Sequence, residues 1–152
     1  MSYLLDSDIC SAYMRRPGPL FHRFMQHSGR LWISTITVSD LYTWAYKQDD
    51  PTPILDKVLD FLRDVQVLAF DEDCARDLGK LRGTLLRQGI RVSPVDLMIG
   101  VIARVHDLTL VTHNTADFRT IPGVRLEARL EREDRDEEAI AEQDARHNRD
   151  GH

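Results

Sequence analysis

The stretch YLLDSD, residues 3–8, starts the chain with an apolar run that ends on two carboxylates one residue apart. The run Tyr3–Leu5 predicts a short buried β-strand. Asp6 follows it directly, and a charge beside a buried strand is costly unless something nearby uses it. The end of this strand is therefore a candidate functional site.

The remainder of the chain alternates between strand-like and helix-like segments. Four further apolar runs predict strands at Leu31–Ser34, Val65–Phe70, Leu108–Thr112 and Val124–Leu126. Apolar residues at helical spacing predict helices over Ile9–Met14, Pro19–Gln26, Val38–Lys47, Ile54–Asp64, Asp73–Arg87 and Val95–Val105. Such alternation predicts a three-layer α/β/α fold around a central, mainly parallel sheet.

The length and charge of the chain indicate one folded domain followed by an acidic tail. The 152 residues, 42% of them hydrophobic, suit a single core. The net charge of −5 lies entirely in residues 127–152, which hold ten acidic residues and five arginines. We therefore expect a domain over residues 1–126 and a tail over 127–152 that is a frayed helix or disordered. A neutral domain neither favours nor excludes a polyanionic substrate.

Neither the cysteines nor the apolar runs indicate a secreted or membrane protein. Cys10 and Cys74 lack the spacing of a metal motif, so we expect reduced, packed thiols. No apolar run has the length of a membrane span, and the N-terminus lacks the pattern of a secretion signal. These features predict a cytoplasmic protein that does not contact a membrane.

Three more aspartates lie where a predicted strand gives way to a helix: Asp40, Asp96 and Asp117. In an open parallel sheet, ligands bind outside the carboxyl ends of the strands, so these carboxylates and Asp6 are expected to share one cleft. Clustered carboxylates repel one another unless a cation lies between them. Oxygen-only ligands favour Mg²⁺, with Mn²⁺ as the alternative. The pattern therefore predicts metal-dependent hydrolysis.

A purely structural explanation exists for the same three aspartates, since each follows a possible helix-capping residue by three positions. The pairs are Thr37 with Asp40, Ser93 with Asp96, and Asn114 with Asp117. An acid at that position bonds back to the cap and interacts favourably with the helix dipole. Capping does not explain Asp6, so both interpretations remain open at this level.

The ordered motifs resemble the PIN-domain family, in particular the VapC-type toxins of toxin–antitoxin pairs. The resemblance runs from about Tyr3 to Leu126 and rests on these segments: YLLDSD, STITVSDL, SPVDLMIGVIA, LVTHNTADF and the closing strand GVRLE. It implies a PIN-like fold and an endoribonuclease that requires Mg²⁺. It also implies a structured RNA substrate, either tRNA or ribosomal RNA, a small inhibitory antitoxin and a homodimer.

The resemblance also assigns roles to individual residues. The acidic, metal-binding centre falls on Asp6, Asp40, Asp96 and Asp117, with Asn114 as a further catalytic residue. Ser7 and Thr35 form the supporting polar layer. Arg82, Arg87 and Arg91, on or just after the long helix that precedes Asp96, are candidates for contacts with the RNA backbone.

Two departures from the family pattern affect the fine geometry of the predicted site. The usual Thr-Asn after the first acid is Ser7-Asp8 here, and the usual Glu of the second motif is the shorter Asp40. Two alternatives remain open, the first from the Asp-x-Asp that follows the opening strand and the second from the two departures. One is a haloacid dehalogenase-like phosphatase in which Asp6 is the nucleophile and Asp8 the general acid. The other is a degenerate PIN domain that only binds RNA or a protein partner.

Overall fold

A five-stranded, all-parallel sheet forms the centre of the molecule, in the order β3-β2-β1-β4-β5. The computed structural model describes residues 2–15 and 28–128. The strands are β1 Tyr3–Leu5, β2 Leu31–Ser34, β3 Gln66–Leu68, β4 Thr109–Val111 and β5 Arg125–Glu127. The predicted α/β fold with a parallel sheet is confirmed, and β1 and β2 have the predicted bounds.

Helices cover the sheet on both faces. They are α1 Ser7–Arg15, α2 Thr35–Tyr46, α3 Thr52–Asp64, α4 Glu72–Arg87, α5 Pro94–Val105 and α6 Thr115–Phe118, with a 3₁₀ turn at Ser28–Arg30. Within the described segments, no helix has the length and apolar character needed to cross a membrane. The helix predicted over Pro19–Gln26 lies outside the described residues, as does the tail from residue 129 onward.

Alternating residues of the buried strands supply two hydrophobic clusters, one on each face of the sheet. Leu4 packs in one cluster with residues of α4 and α5, whereas the next residue, Leu5, packs in the other with residues of α1, α2 and α3. Successive side chains of a strand point to opposite faces, so a strand covered on both sides is apolar throughout. This explains why Leu4 and Leu5 are both fully buried.

The start of α2 differs from its prediction. The helix begins at Thr35 instead of Val38, because Ser34 both ends β2 and caps the helix: its hydroxyl oxygen accepts a hydrogen bond from the Thr37 N–H at 3.0 Å. Thr37 is therefore not the cap, and the proposed capping pair with Asp40 is wrong. At the other end of the domain, β5 extends to Glu127, which the sequence analysis placed in the tail.

In the sheet, β1 lies between β2 and β4. The chain adds β2 and β3 on one side of β1 and then crosses over to add β4 and β5 on the other side. Leu5 is in register with Val111, so the residues that follow these two strands, Asp6 and Thr112, leave the sheet side by side. In open parallel sheets the crevice at such a reversal is where ligands bind. Asp6 therefore lies at the edge of the sheet where parallel α/β folds bind their ligands.

Candidate active site

Asp6 is a buried carboxylate with both oxygens bound. Its exposed fraction is only 7%. Oδ1 accepts the N–H of Ser7 at 2.8 Å, and Oδ2 accepts the hydroxyl of Thr112 at 2.8 Å. The main-chain N–H of Asp6 donates to the carbonyl of Val111 at 3.0 Å. Bonds from α1 and β4 thus fix the orientation of this carboxylate.

Thr112 links the first acidic motif to the last. Its fully buried hydroxyl donates to Asp6 and accepts the N–H of Asn114 at 3.1 Å. The sequence analysis quoted LVTHNTADF but gave Thr112 no role. The available signal was a hydroxyl on the last residue of a predicted strand, at the same sheet edge as Asp6.

Three of the predicted acids influence one another electrostatically. Burial raises the pKa of Asp6; the Thr112 hydrogen bond opposes this shift, and the negative charges of Asp8 and Asp96 add to it. Burial also raises the pKa of Asp96, and the charge of Asp117 contributes. Asp6 is thus near enough to Asp96, and Asp96 to Asp117, for their charges to interact, and these three residues are called the acidic cleft below. Ionisation of neighbouring carboxylates is unfavourable without a compensating cation.

Hydrogen bonding does not favour the capping explanation for Asp96 and Asp117. Ser93 and Asn114 are the N-cap residues of α5 and α6, but neither side chain makes a capping hydrogen bond. The reciprocal bonds of a capping box are thus not formed. Asp96 and Asp117 do lie in the first turns of their helices, where the dipole favours a negative charge.

The structure does not connect Asp40 to this cleft through a hydrogen bond or a neighbouring charge. Asp40 is exposed on α2 and, among the described residues, makes neither a hydrogen bond nor an ion pair. Thr35, predicted as a supporting residue, is exposed as the first residue of α2. Ser7 supports Asp6 through its main-chain N–H. The buried hydroxyl at the end of β2 belongs to Ser34 instead.

Asp8 joins the start of α1 to the loop after β4. Its Oδ1 accepts the N–H of Ile9 at 2.7 Å, and its Oδ2 accepts the N–H of His113 at 3.1 Å. Both oxygens are therefore committed to main-chain groups at the start of α1 and in the loop after β4. This arrangement does not suit the general acid of a phosphatase, which must reach a substrate oxygen.

The three predicted RNA-binding arginines are all exposed. Arg82 and Arg87 lie on α4, and Arg91 lies in the segment between α4 and α5. Arg87 donates a long hydrogen bond to the Thr84 hydroxyl at 3.5 Å. Their side chains are available to solvent, and none is paired with an acid of the cleft.

The donor atoms of the cleft fit a hard divalent cation. Carboxylate oxygens are the ligands that Mg²⁺ and Mn²⁺ prefer, and the raised pKa values of Asp6 and Asp96 reflect burial and uncompensated negative charge. The carboxylates are nevertheless not drawn tightly together. Of the described residues, only Asp71, Cys74 and His106 bring three ligating atoms within 4.8 Å of one another, and they lie outside the cleft.

Comparisons with known proteins identify the fold and the sequence motifs. The family model described as "PIN domain" matches residues 3–124. The "tRNA(fMet)-specific endonuclease VapC" of Shigella flexneri is 34% identical over 128 residues, which cover 84% of this chain and 97% of that protein. "Ribonuclease VapC2" of Haemophilus influenzae is 31% identical over the same shares of both chains.

Solved structures of toxin–antitoxin complexes have the same fold. The DNA-bound VapBC structure from Salmonella typhimurium superimposes with a TM-score of 0.76 at 33% identity, covering 84% of this chain and 97% of that one. The Rickettsia felis VapBC2 structure, bound to a fragment of promoter DNA, gives a TM-score of 0.73 at 26% identity, covering 84% and 98%.

Proposed function

This chain belongs to the PIN-domain family, and from that membership we propose that it is a VapC-type toxin, a metal-dependent endoribonuclease that a cognate antitoxin neutralises. Its substrate is a structured RNA. Transfer RNA is the first class to test, because relatives that share 34% of their residues with this chain are named for tRNA(fMet). Ribosomal RNA is the second.

The observation that carries the proposal is the buried, doubly hydrogen-bonded Asp6 at the reversal point of the sheet, with Asp96 and Asp117 beside it. A carboxylate held in this way cannot turn away from its neighbours' charges. Burial, and after it the charges of neighbouring acids, raises the pKa values of Asp6 and Asp96, and a bound divalent cation would compensate the negative charge of these carboxylates. An acid that only caps a helix would not be expected to lie near two other carboxylates, because their charges disfavour its ionisation.

Each residue of the site has a proposed task. Asp6, Asp96 and Asp117 hold Mg²⁺ or Mn²⁺, and Asp40 reaches the same region from α2 through water. Members of the PIN-domain nuclease family depend in general on divalent metals. When bound, the cation supplies positive charge to the scissile phosphate and lowers the pKa of a water nucleophile.

Other groups position these acids or bind the substrate. Thr112 and the Ser7 N–H fix the Asp6 carboxylate, while Ser34 fixes the start of α2. The exposed amide of Asn114 contacts a phosphate oxygen or the attacking water. Arg82, Arg87 and Arg91 contact the RNA backbone at a distance from the chemistry.

The proposed partners are an antitoxin and a second copy of the chain. An antitoxin segment that carries an arginine would pair with the cleft's carboxylates and compete with the cation. Exposed apolar side chains on α2 and α3, such as Tyr46 and Leu59, are available for self-association. A toxin that cleaves RNA used in translation acts in the cytoplasm.

The proposal is tested by incubating the purified chain with tRNA and ribosomal RNA after dialysis against a chelator. We expect cleavage to be absent, to return with added Mg²⁺ or Mn²⁺, and to be suppressed by the product of the adjacent antitoxin gene. Cleavage that persists in the chelator would contradict the metal-dependent mechanism. Binding of RNA without cleavage under any of these metal conditions would favour the degenerate-domain alternative.

A further inference from the structure

A second group of metal-ligating side chains lies outside the acidic cleft. The ligating atoms of Asp71, Cys74 and His106 all lie within 4.8 Å of one another. Asp71 is the N-cap of α4, Cys74 lies in the first turn of that helix, and His106 follows the last residue of α5. The group thus joins the beginning of one helix to the end of its neighbour, although the two segments are far apart in sequence.

One nitrogen of the His106 imidazole, Nε2, is buried without a hydrogen-bond partner among the described residues. A buried ring nitrogen without a partner loses its hydration and gains nothing in return. A cation bound through Nε2 would give that nitrogen a partner. The main-chain N–H of His106 already has one, because it donates to the carbonyl of Ile102 at 3.1 Å.

The other two ligands are prepared in different ways. Asp71 accepts the Cys74 N–H through Oδ1 at 2.9 Å, and the Cys74 thiol also forms a hydrogen bond with the Asp71 carboxylate, so these two candidate ligands already face each other. Asp71 is exposed, whereas Cys74 is fully buried. One side of the group is therefore open to solvent and the other is enclosed by the core, so an ion would enter from the Asp71 side, where solvent would supply a fourth ligand.

The spacing is close to that of a tetrahedral site. Zn²⁺ bonds of about 2.0–2.3 Å place two ligands of a tetrahedron about 3.3–3.8 Å apart. Ligating atoms that lie at most 4.8 Å apart would therefore have to approach one another by no more than about 1–1.5 Å. A thiolate, an imidazole and one carboxylate are the ligand set of a borderline cation and not of Mg²⁺.

We propose that Asp71, Cys74 and His106 form a second metal site that binds Zn²⁺ or a similar d-block cation and locks the N-terminus of α4 to the C-terminus of α5. Binding replaces the thiol proton with the metal, and that proton passes to solvent. This inference is independent of the ribonuclease proposal, because it involves none of the residues of the acidic cleft.

Cobalt provides the most specific probe, since Co²⁺ bound to a thiolate gives a sulfur-to-metal charge-transfer band that oxygen ligands do not give. The full-length chain is titrated with Co²⁺ in excess Mg²⁺, which keeps the acidic cleft occupied by a hard cation. The matched control is Cys10→Ser, because Cys10 is the other buried free cysteine. We expect the band to appear at one equivalent in the wild type and in Cys10→Ser, and to be lost in Cys74→Ser and in His106→Gln.

A second measurement protects the test from variants that fold poorly. Thermal melts with and without Zn²⁺, in the same excess of Mg²⁺, are expected to show a higher Tm with Zn²⁺ for the wild type and for Cys10→Ser but no shift for Asp71→Asn or His106→Gln. The absence of both the Co²⁺ band and the Zn²⁺ shift in the folded wild type would overturn the proposal. Retention of the band in Cys74→Ser would do so as well.

Discussion

At the scale of single residues, Asp6 shows how a destabilising group is retained for function. Its burial raises its pKa, so the ionised form is unfavourable in the folded protein, yet the hydrogen bonds from Ser7 and Thr112 stabilise that form. The two effects oppose each other, and the outcome is a fixed carboxylate that gains most when a cation binds. Thr112 is therefore expected to be as important for the function of Asp6 as the neighbouring acids.

Replacing Thr112 with Val removes the hydroxyl while keeping the shape of the side chain. The Asp6 carboxylate and the Asn114 N–H each lose a buried partner, which is expected to lower the free energy of unfolding by about 1–3 kcal/mol and to reduce RNA cleavage. Urea denaturation and a cleavage assay measure the two effects. Thr112→Ser is the control and should keep most of the activity; equal loss in both variants would show that packing, not hydrogen bonding, is responsible.

Asp40 is exposed, and its side chain makes no hydrogen bond or ion pair among the described residues. Its part in the proposed site therefore depends on whether its side chain is long enough to approach the cation. We expect Asp40→Glu to retain or increase cleavage, because the extra methylene restores the length of the family's usual residue. Asp40→Asn should lose most of the activity, since the amide carries no charge for the cation. A gel assay with Mg²⁺ compares the two variants, and equal rates would remove Asp40 from the site.

At the scale of helices and strands, residue patterns predicted the buried elements well and the exposed ends poorly. The apolar runs Tyr3–Leu5 and Leu31–Ser34 are each bounded by polar or charged residues, and their predicted bounds were correct. The start of α2 was wrong because Ser34 serves the strand and the helix at once, and hydrophobic periodicity does not register a cap. Likewise, Thr112 and the Asp71–Cys74–His106 group depend on contacts between distant segments, which spacing along the chain cannot reveal.

The cap of α2 can be tested with two neighbouring substitutions. Ser34→Ala removes the oxygen that accepts the Thr37 N–H and is expected to cost about 0.5–2 kcal/mol of stability. Thr35→Ala is the matched control, since Thr35 is exposed and should change the free energy of unfolding little. If Thr35→Ala were the more damaging variant in a denaturant titration, α2 would not begin where the structure places it.

At the scale of the whole molecule, the folded chain is a scaffold that concentrates negative charge at one edge of an otherwise neutral domain. Asp6 and Asp96 both have raised pKa values in the folded state. Groups of this kind contribute their full stability below the ordinary carboxyl pKa, and that contribution is lost as the pH rises through the raised folded value. In the metal-free protein, Asp6 and Asp96 therefore contribute less stability at neutral pH than at acidic pH.

This linkage predicts how pH and metal act together. Without metal, Tm should fall as the pH rises through the titration of Asp6 and Asp96. Mg²⁺ should restore Tm at neutral pH and have little effect at acidic pH, where the carboxylates are protonated and bind it weakly. Melts at matched ionic strength with Na⁺ separate binding from screening. A Mg²⁺ effect of equal size at both pH values would contradict the linkage.

The most direct test of the central claim is one purified variant, Asp96→Asn. As a member of the acidic cleft beside Asp117, Asp96 repels its neighbour in the metal-free protein. The variant should then melt without metal at the same temperature as the wild type or higher, and it should cleave neither tRNA nor ribosomal RNA with Mg²⁺. If Asp96 serves only the start of α5, the substitution costs about 0.5–1 kcal/mol of stability and leaves cleavage intact. A destabilised but fully active Asp96→Asn protein would contradict the assignment of this cleft as a ribonuclease site.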